Sequence, residues 1–336
     1  MDQKTPLHHK AQQIAQERGF HIRKKIYEAW EPGRPIPRNI IYLGTWQDKP
    51  AAFKIYDERR LSDEPLALQA WLQHSTSTQL IAPALYDFAI ASPHAGWLIM
   101  EELPTPGGFF ASPLSVEARE RFLQLYQWYR VEFPKQPTRQ LSLAEKLPAA
   151  EYHQYRIYRW FEQAVHAEEA RRLRHQPTLL SETEFPLLFR RAMAIIGKLF
   201  AGRAMVWSHG HFKPKELYHD ETRDRYYLTD FAHVKMYPEG YELGFMVWAD
   251  YLMSGDWRLP YAEWALPVRS WRRRLVRVAI GLGLREPAEL IRGSLIERSL
   301  GTILADIVAR EQPIEQQKKH LALLMQLLTE LVTDIR

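Results

Sequence analysis

Trp207-Ser208-His209-Gly210-His211-Phe212-Lys213-Pro214-Lys215-Glu216-Leu217-Tyr218, followed by Tyr227-Leu228-Thr229-Asp230-Phe231-Ala232, is the stretch on which the reading of this chain turns. A turn-rich polar segment leads into the β-like pair Leu217-Tyr218. A polar hairpin, His219 to Arg225, then feeds a second β run that ends on the carboxylate of Asp230. Gly and Pro among polar residues mark the first part as loop. The Tyr and Leu residues on either side of the hairpin suit a pleated, half-buried surface.

Outward from this stretch the sequence divides into two kinds of pattern. Residues 1–20 read as a polar helical extension, Lys10 to Arg18, closed by Gly19. Three runs rich in Ile, Tyr, Trp and Phe follow: Ile22–Trp30, Asn39–Trp46 and Ala51–Tyr56. Pro32-Gly33-Arg34-Pro35 and Gln47-Asp48-Lys49-Pro50 separate them, which predicts strands joined by turns. Ser62 or Asp63 is placed to cap a helix from Pro65 to His74. Ala84–Ala91 and Gly96–Glu101 predict two more strands. From about residue 113 the period changes. Val116–Phe133, Ala144–Arg174 and Glu182–Phe200 precede the central loop; Leu243–Met253, Pro267–Leu282, Pro287–Arg310 and Ile314–Ile335 follow it. All repeat apolar residues at three- and four-residue spacing, as amphipathic helices do. The expectation is an α+β chain with an extension at 1–20, a β-rich lobe at 21–103 and a helical lobe at 104–336. Leu103-Pro104-Thr105-Pro106-Gly107-Gly108 is the expected link.

The central stretch resembles the catalytic and metal-binding loops of kinase-fold phosphotransferases. Protein kinases write the first loop His-Arg-Asp-Leu-Lys-Pro-Glu-Asn. The aminoglycoside phosphotransferase and choline kinase relatives write it His-Gly-Asp-Leu-His-Pro-Gly-Asn. Here His209, Gly210, Lys213, Pro214 and Asp230 match, while His211 stands at the catalytic Asp and Glu216 at the Asn. The order β-β-β-α-β-β of the first half is also that of the small lobe of this fold. The resemblance covers roughly residues 20–280 in element order and is specific around 207–232. It implies a bilobal protein-kinase-like fold. It further implies ATP and magnesium held between the lobes, and transfer of the γ-phosphoryl group to a small-molecule hydroxyl.

Phosphoryl transfer asks a protein for a cation on the phosphates, oxygen ligands for magnesium and a group that orients the acceptor. By the resemblance, Lys54 in Ala51-Ala52-Phe53-Lys54-Ile55-Tyr56 is the phosphate cation and Glu64 its helix partner. From the residues alone, Lys54 also reads as an edge-strand lysine facing water, and Glu64 as a first-turn charge favoured by the helix dipole. Leu98-Ile99-Met100-Glu101-Glu102-Leu103 resembles the strand that leads to the adenine-binding hinge, which makes Glu101 and Leu103 cofactor contacts. Glu216 and Asp230 are the candidate metal ligands, since magnesium accepts carboxylates. Lys213 is of the right type to neutralise a transferring phosphoryl group. His211 orients a hydroxyl only when neutral. The loop Glu31-Pro32-Gly33-Arg34-Pro35-Ile36-Pro37-Arg38 has one glycine where kinases use several to bring amides to phosphate, so it reads as a surface hairpin, with Arg34 and Arg38 as substitute charges.

These departures make a degenerate, nucleotide-binding member with a regulatory or scaffold role the first expectation. An active, divergent small-molecule kinase is the second. The third is a metal-dependent hydrolase in which His209 and His211, on alternate positions of a strand, share one zinc. With 45 basic and 40 acidic residues among 336, the net charge is +5. A protein made for polycationic aminoglycosides is expected to be acidic, so this balance leans towards anionic or neutral ligands. No basic block of nucleic-acid type stands out beyond Arg272-Arg273-Arg274; that helix, to Arg277, reads as a solvated face or as a surface for an anionic partner or membrane. Trp248, Trp257, Trp264 and Trp271 read as packing, or as stacking surfaces for a sugar or base. The chain has no cysteine, which excludes disulfides. No apolar run is long enough to cross a bilayer, Met1-Asp2-Gln3-Lys4 does not open a signal peptide, and a cytoplasmic location is the expectation.

Overall fold

The computed structural model describes residues 5–30, 34–58, 63–133, 142–180 and 184–333. The expected capping residue Ser62 and the loop residues Glu31, Pro32 and Gly33 lie outside these, as do Met1 to Lys4, the start of the helix expected from Glu182 and the end of the one expected to run to Ile335. The chain is α+β and folds as two compact units, each assembled from separate stretches of sequence. The first holds the chain to Phe110 with Trp128–Gln140 and Lys215–Val234. The second holds Ala111–Gln127, Leu141–Pro214 and Lys235–Arg336.

In the first unit, helix α1 (Pro6–Glu17) precedes strands β1 (Phe20–Ala29), β2 (Asn39–Trp46) and β3 (Lys49–Asp57), then helix α2 (Glu64–His74). Strands β4 (Leu80–Ile81), β5 (Leu85–Ser92), β6 (Ala95–Glu101) and β7 (Gly107–Phe109) follow. An antiparallel five-stranded sheet runs in the order β1-β2-β3-β6-β5. Side chains alternate between faces along a strand. Ala51, Phe53 and Ile55 of β3 therefore share one face, where they pack with Leu7, Ala11 and Ala15 of α1. Ala52, Lys54 and Tyr56 share the other. Both faces of β3 are covered, as befits a central strand. The later strands β9 (Leu217–Asp220) and β10 (Arg225–Leu228) return to this unit and form a second sheet, β4-β10-β9-β7. The polar hairpin at 219–225 thus forms as expected. Its partner strands β4 and β7 are two and three residues long and give no period to read.

The second unit is mostly helical. Its helices include α4 (Ala149–Leu173), α5 (Phe185–Leu199), α6 (Tyr241–Val247), α7 (Tyr261–Gly281), α8 (Pro287–Gly301) and α9 (Ile314–Thr333). Helix α3 (Val116–Glu132) contributes its first turns here and its last to the other unit. Two expected helices, Leu243–Met253 and Pro287–Arg310, end as π-helical turns at Trp248–Leu252 and Thr302–Val308. Of the four tryptophans, Trp264 and Trp271 are fully buried, whereas Trp248 and Trp257 keep part of their surface. Among the described residues no helix is long and apolar enough to cross a membrane.

A short two-stranded sheet, β8 (Met205–Ser208) with β11 (Lys235–Pro238), carries the central loop. β8 stops at Ser208, and Gly210 adopts φ +78°, a conformation that side chains other than hydrogen rarely take. Its N–H donates to Glu242 Oε1 at 2.8 Å, and an added Cβ would lie 2.4 Å from the Tyr237 ring. Glu297 of α8 is buried between two guanidiniums, 2.9 Å from Arg156 Nη1 and 2.9 Å from Arg298 Nε, with His153 Nδ1 3.6 Å away. Burial alone would raise the Glu297 pKa. Arg298, Arg156 and His153 outweigh it and bring it down to about 2 from 4.5.

Two expectations follow. Gly210→Ala should cost about 1–3 kcal/mol in urea unfolding, from the left-handed backbone and the clash with Tyr237. Glu297→Gln should cost on the order of 3 kcal/mol near neutral pH, because it leaves buried guanidiniums uncompensated. A depressed carboxylate pKa stabilises above the unfolded value and stops doing so as pH falls through the folded one. The gap between wild type and Glu297→Gln should therefore be constant above about pH 5 and close towards pH 2. A gap that does not change with pH would show that Glu297 is not held as a carboxylate.

Candidate functional site

Lys54 stands on the face of β3 opposite α1, and its side chain reaches towards the start of α2. Its ammonium lies 2.6 Å from Glu64 Oε2 and 3.5 Å from Asp230 Oδ1. Lys54 is 4% exposed and Glu64 3%, so the expectation of a water-facing edge lysine does not describe it. Burial alone lowers a lysine's pKa. Glu64, then Asp230 and Glu216, more than reverse this, and the ammonium stands above its ordinary value. Glu64 occupies the first turn of α2, with Asp63 at the N-cap position, so its carboxylate sits near the positive end of the helix while it pairs with Lys54.

Asp230 is brought to Lys54 by local structure on both sides. Thr229 donates its N–H to the Glu216 carbonyl at 2.9 Å, and its hydroxyl to the Glu216 side chain at 3.2 Å. Two acidic residues fourteen positions apart are thereby tied to neighbouring points. After Asp230, Phe231 packs on Trp71 of α2, with ring centroids 6.0 Å apart, and Tyr129 and Phe133 pack against the same indole. Asp230 itself takes φ 57°, ψ 62°, a left-handed conformation costly for a residue with a Cβ. Its backbone thus turns sharply between β10 and the 3-10 turn Phe231–His233. His233 Nε2 stands 4.0 Å from its second carboxylate oxygen. Thr229 and Trp71 were not singled out from the sequence. The first sits directly before Asp230; the second gives only the signal of an apolar helix position.

The remaining expected cofactor contacts fall at the end of β6. Glu101 Oε2 accepts from the Ala84 N–H at 3.1 Å and Oε1 from the Tyr227 hydroxyl at 3.1 Å, while its own N–H goes to the Ala84 carbonyl. These bonds make Glu101 a brace between β5, β6 and β10. Leu103 is half-buried just beyond the strand, and the Pro104 carbonyl next to it accepts from the Tyr218 hydroxyl. Arg34 lies 3.7 Å from Asp57 Oδ1 and Arg38 3.4 Å from Glu58 Oε2, so the two proposed substitute charges face acids of their own unit.

His211 and Lys213 belong to the second unit, on the loop after β8. The His211 ring stacks on Phe245, centroids 5.1 Å apart, and Lys213 Nζ lies 3.5 Å from His211 Nδ1. An ammonium has hydrogens to donate and no lone pair to accept with. In that contact Nδ1 faces the ammonium. The paired-histidine zinc reading needs His209 and His211 on one face of a strand. The strand ends at Ser208 and Gly210 reverses the backbone between them, so that premise fails. His209 is fully buried. His219 stacks on Tyr226 and contacts Asp224 at 3.0 Å.

No family model matches the chain, and no curated protein matches it in sequence. Solved structures do match it in fold. The aminoglycoside phosphotransferase APH(4)-Ia superposes with a TM-score of 0.57 at 11% identity, over 97% of this chain and 98% of its own. A spectinomycin phosphotransferase, APH(9)-Ia, in complex with ADP and spectinomycin, gives 0.52 at 11% identity, over 96% and 98%. The ethanolamine kinase of Plasmodium vivax gives 0.50 at 12% identity, over 91% and 82%. Together with the β-rich unit and the helical unit, these likenesses show that the chain has the protein-kinase-like fold of the aminoglycoside phosphotransferases and ethanolamine kinase.

Proposed function

We propose that this chain binds a magnesium–nucleoside triphosphate, ATP first among them, on the Lys54–Glu64–Asp230–Glu216 cluster, and that it serves a regulatory or scaffold role without efficient phosphoryl transfer. The observation that carries the first half is the Lys54 ammonium held at 2.6 Å by Glu64 and at 3.5 Å by Asp230. Glu64 and Asp230 stand at the ammonium, and Glu216 acts on it electrostatically. Carboxylate oxygens suit magnesium; His233 Nε2, 4.0 Å from Asp230 Oδ2, adds a nitrogen beside them. Asp230 and Glu216 would hold the ion, and bound there it would neutralise phosphate oxygens. Lys54 supplies the direct contact to phosphate. ADP in the spectinomycin phosphotransferase complex is consistent with a nucleotide as the ligand.

The second half rests on His211. Where kinases offer a carboxylate to the acceptor hydroxyl, this chain offers an imidazole whose Nδ1 lies 3.5 Å from the Lys213 ammonium. A ring beside a cation is a poorer proton acceptor than a carboxylate.

Thermal unfolding with ATP and magnesium tests the binding. Ligand at a hundred times its Kd should add about 2.7 kcal/mol to stability. Lys54→Met and Asp230→Asn should each abolish the gain; a gain that survives both substitutions sinks the assignment. Turnover tests the rest. Phosphoryl release from ATP should stay at background in wild type and in His211→Ala, whereas His211→Asp should raise it by a factor on the order of 10². Turnover present in wild type and lost in His211→Ala would instead establish an active, divergent kinase.

A further inference from the structure

The first turns of α3 lie beside α7 in the second unit, and α7 carries the run Arg272-Arg273-Arg274 with Arg277. Ser270 Oγ ties the two helices together: Arg119 Nη1 donates to it at 3.4 Å and Arg274 Nη1 at 3.0 Å. Arg274 Nε also lies 2.7 Å from Glu120 Oε1. Further along, Gly281 leaves room for the Gln127 amide, whose nitrogen would stand 3.1 Å from an added Cβ. Between these contacts the helices leave an open groove of about 630 Å³. Leu123 and Val278, both buried, are its apolar lining. Glu117, Glu120, Arg121 and Gln124 line it from α3, and Arg274 and Arg277 from α7.

Most of the charge on these walls is committed to the fold. Glu120 and Ser270 hold Arg274. Glu117 Oε2 accepts from Ser115 Oγ at 3.0 Å, in the first turn of its own helix. The deeper Arg119 lies 3.8 Å from Asp250 and over the Trp271 ring. Arg269 and Arg272 act on Glu330. Arg277 differs from all of these. It is exposed and meets no acid among the described residues, and the same holds for Arg273 one turn before it. The walls therefore carry three guanidiniums, Arg121, Arg274 and Arg277, against the two carboxylates of Glu117 and Glu120. Arg273 widens that surplus. Gln124 Oε1 accepts from Arg121 Nη1 at 3.0 Å, so the amide has its N–H groups left to offer. A concave surface with surplus positive charge and donors to spare draws in anions.

We propose that this groove is a second ligand site, for a small phosphate ester with a hydroxylated, sugar-like body. The phosphate accepts from Arg277, whose planar fork meets oxyanions with paired bonds, and from the Gln124 amide. The hydroxyls of the body pair with the polar walls, where Glu117 accepts and Gln127 donates. No aromatic ring is among the residues that line the groove, so a flat base or aryl group finds nothing to stack on. The site lies wholly in the second unit and stands whether or not the Lys54 cluster takes a nucleotide.

Glucose 6-phosphate is the probe, with inorganic phosphate, glucose and phenyl phosphate as comparisons, read by calorimetry on the full chain at low ionic strength, where exposed charges act most. Glucose 6-phosphate should bind more tightly than inorganic phosphate or phenyl phosphate, and glucose should not bind measurably. Arg277→Gln, at an exposed position that leaves the core untouched, should weaken glucose 6-phosphate about fivefold. Arg277→Lys should weaken it less, and Gln124→Glu, which sets a third carboxylate on the walls, should weaken it at least as much as Arg277→Gln. Lys54→Met should leave it unchanged. The proposal is overturned if no phosphate compound binds, if phenyl phosphate binds as tightly as glucose 6-phosphate, if Arg277→Gln and Gln124→Glu bind as wild type does, or if Lys54→Met abolishes binding. The last outcome would assign the phosphate to the nucleotide cluster. Arg277-dependent sedimentation with phosphatidylserine vesicles, without glucose 6-phosphate binding, would also overturn it and give this face to a lipid surface. Failure of the nucleotide reading alone would show as an absent ATP–magnesium gain with glucose 6-phosphate binding intact.

Discussion

A buried ammonium organises the first unit. Moving a lysine out of water is unfavourable unless opposite charge meets it at close range. Lys54 is met by Glu64 and Asp230, which come from a helix next in sequence and from a segment 176 residues away. Each contributes to the unit's geometry as well as its charge. Glu64 fixes where α2 begins against the sheet. Asp230 heads the 3-10 turn that follows the returning strand β10. Trp71 ties the two together by packing on Phe231, one residue beyond the carboxylate. A cluster of this kind is expensive to assemble for stability alone, because apolar residues of similar volume fill such a space at less cost. The left-handed backbone at Asp230 adds to that cost.

The second unit handles buried charge differently. Arg156 and Arg298 are held by ring faces as much as by Glu297, and arginine tolerates this better than lysine because its charge is delocalised over a plane that stacks. The same aromatic layer supports the central loop. Tyr237 leaves room for nothing larger than hydrogen at Gly210, and Phe245 provides the surface on which His211 lies. Gly210, through its N–H on Glu242, sets the backbone course of the loop that presents His211.

The central strands and most helices were legible in the sequence because they are long and periodic. β2 forms with the bounds its aromatic and β-branched run suggested, and α2 begins one residue from the expected start. Two- and three-residue strands were not legible, since β4 and β7 owe their existence to partners far along the chain. Lys54 could be suspected from its apolar neighbours, but its burial follows from β3 being central, which is a fact of topology. The ring-held arginines were invisible for a related reason. Arg156 and Arg298 look like ordinary helix-face cations, and only the packing of α4 against α8 turns them inward. Trp248 is half-buried, packs on Phe245 and donates its indole N–H to Asp306.

The return of residues 215–234 to the first unit bears on how the protein is made. Synthesis delivers the chain from its amino end, and a unit completes only when its last contributing segment has emerged. The five-stranded sheet is available early, yet β4 and β7 wait for β9 and β10, and Lys54 waits for Asp230. Over that interval much of the helical half leaves the ribosome first. A fragment cut after Phe110 would therefore lack a sheet partner for two strands and one of the two acids on its buried lysine.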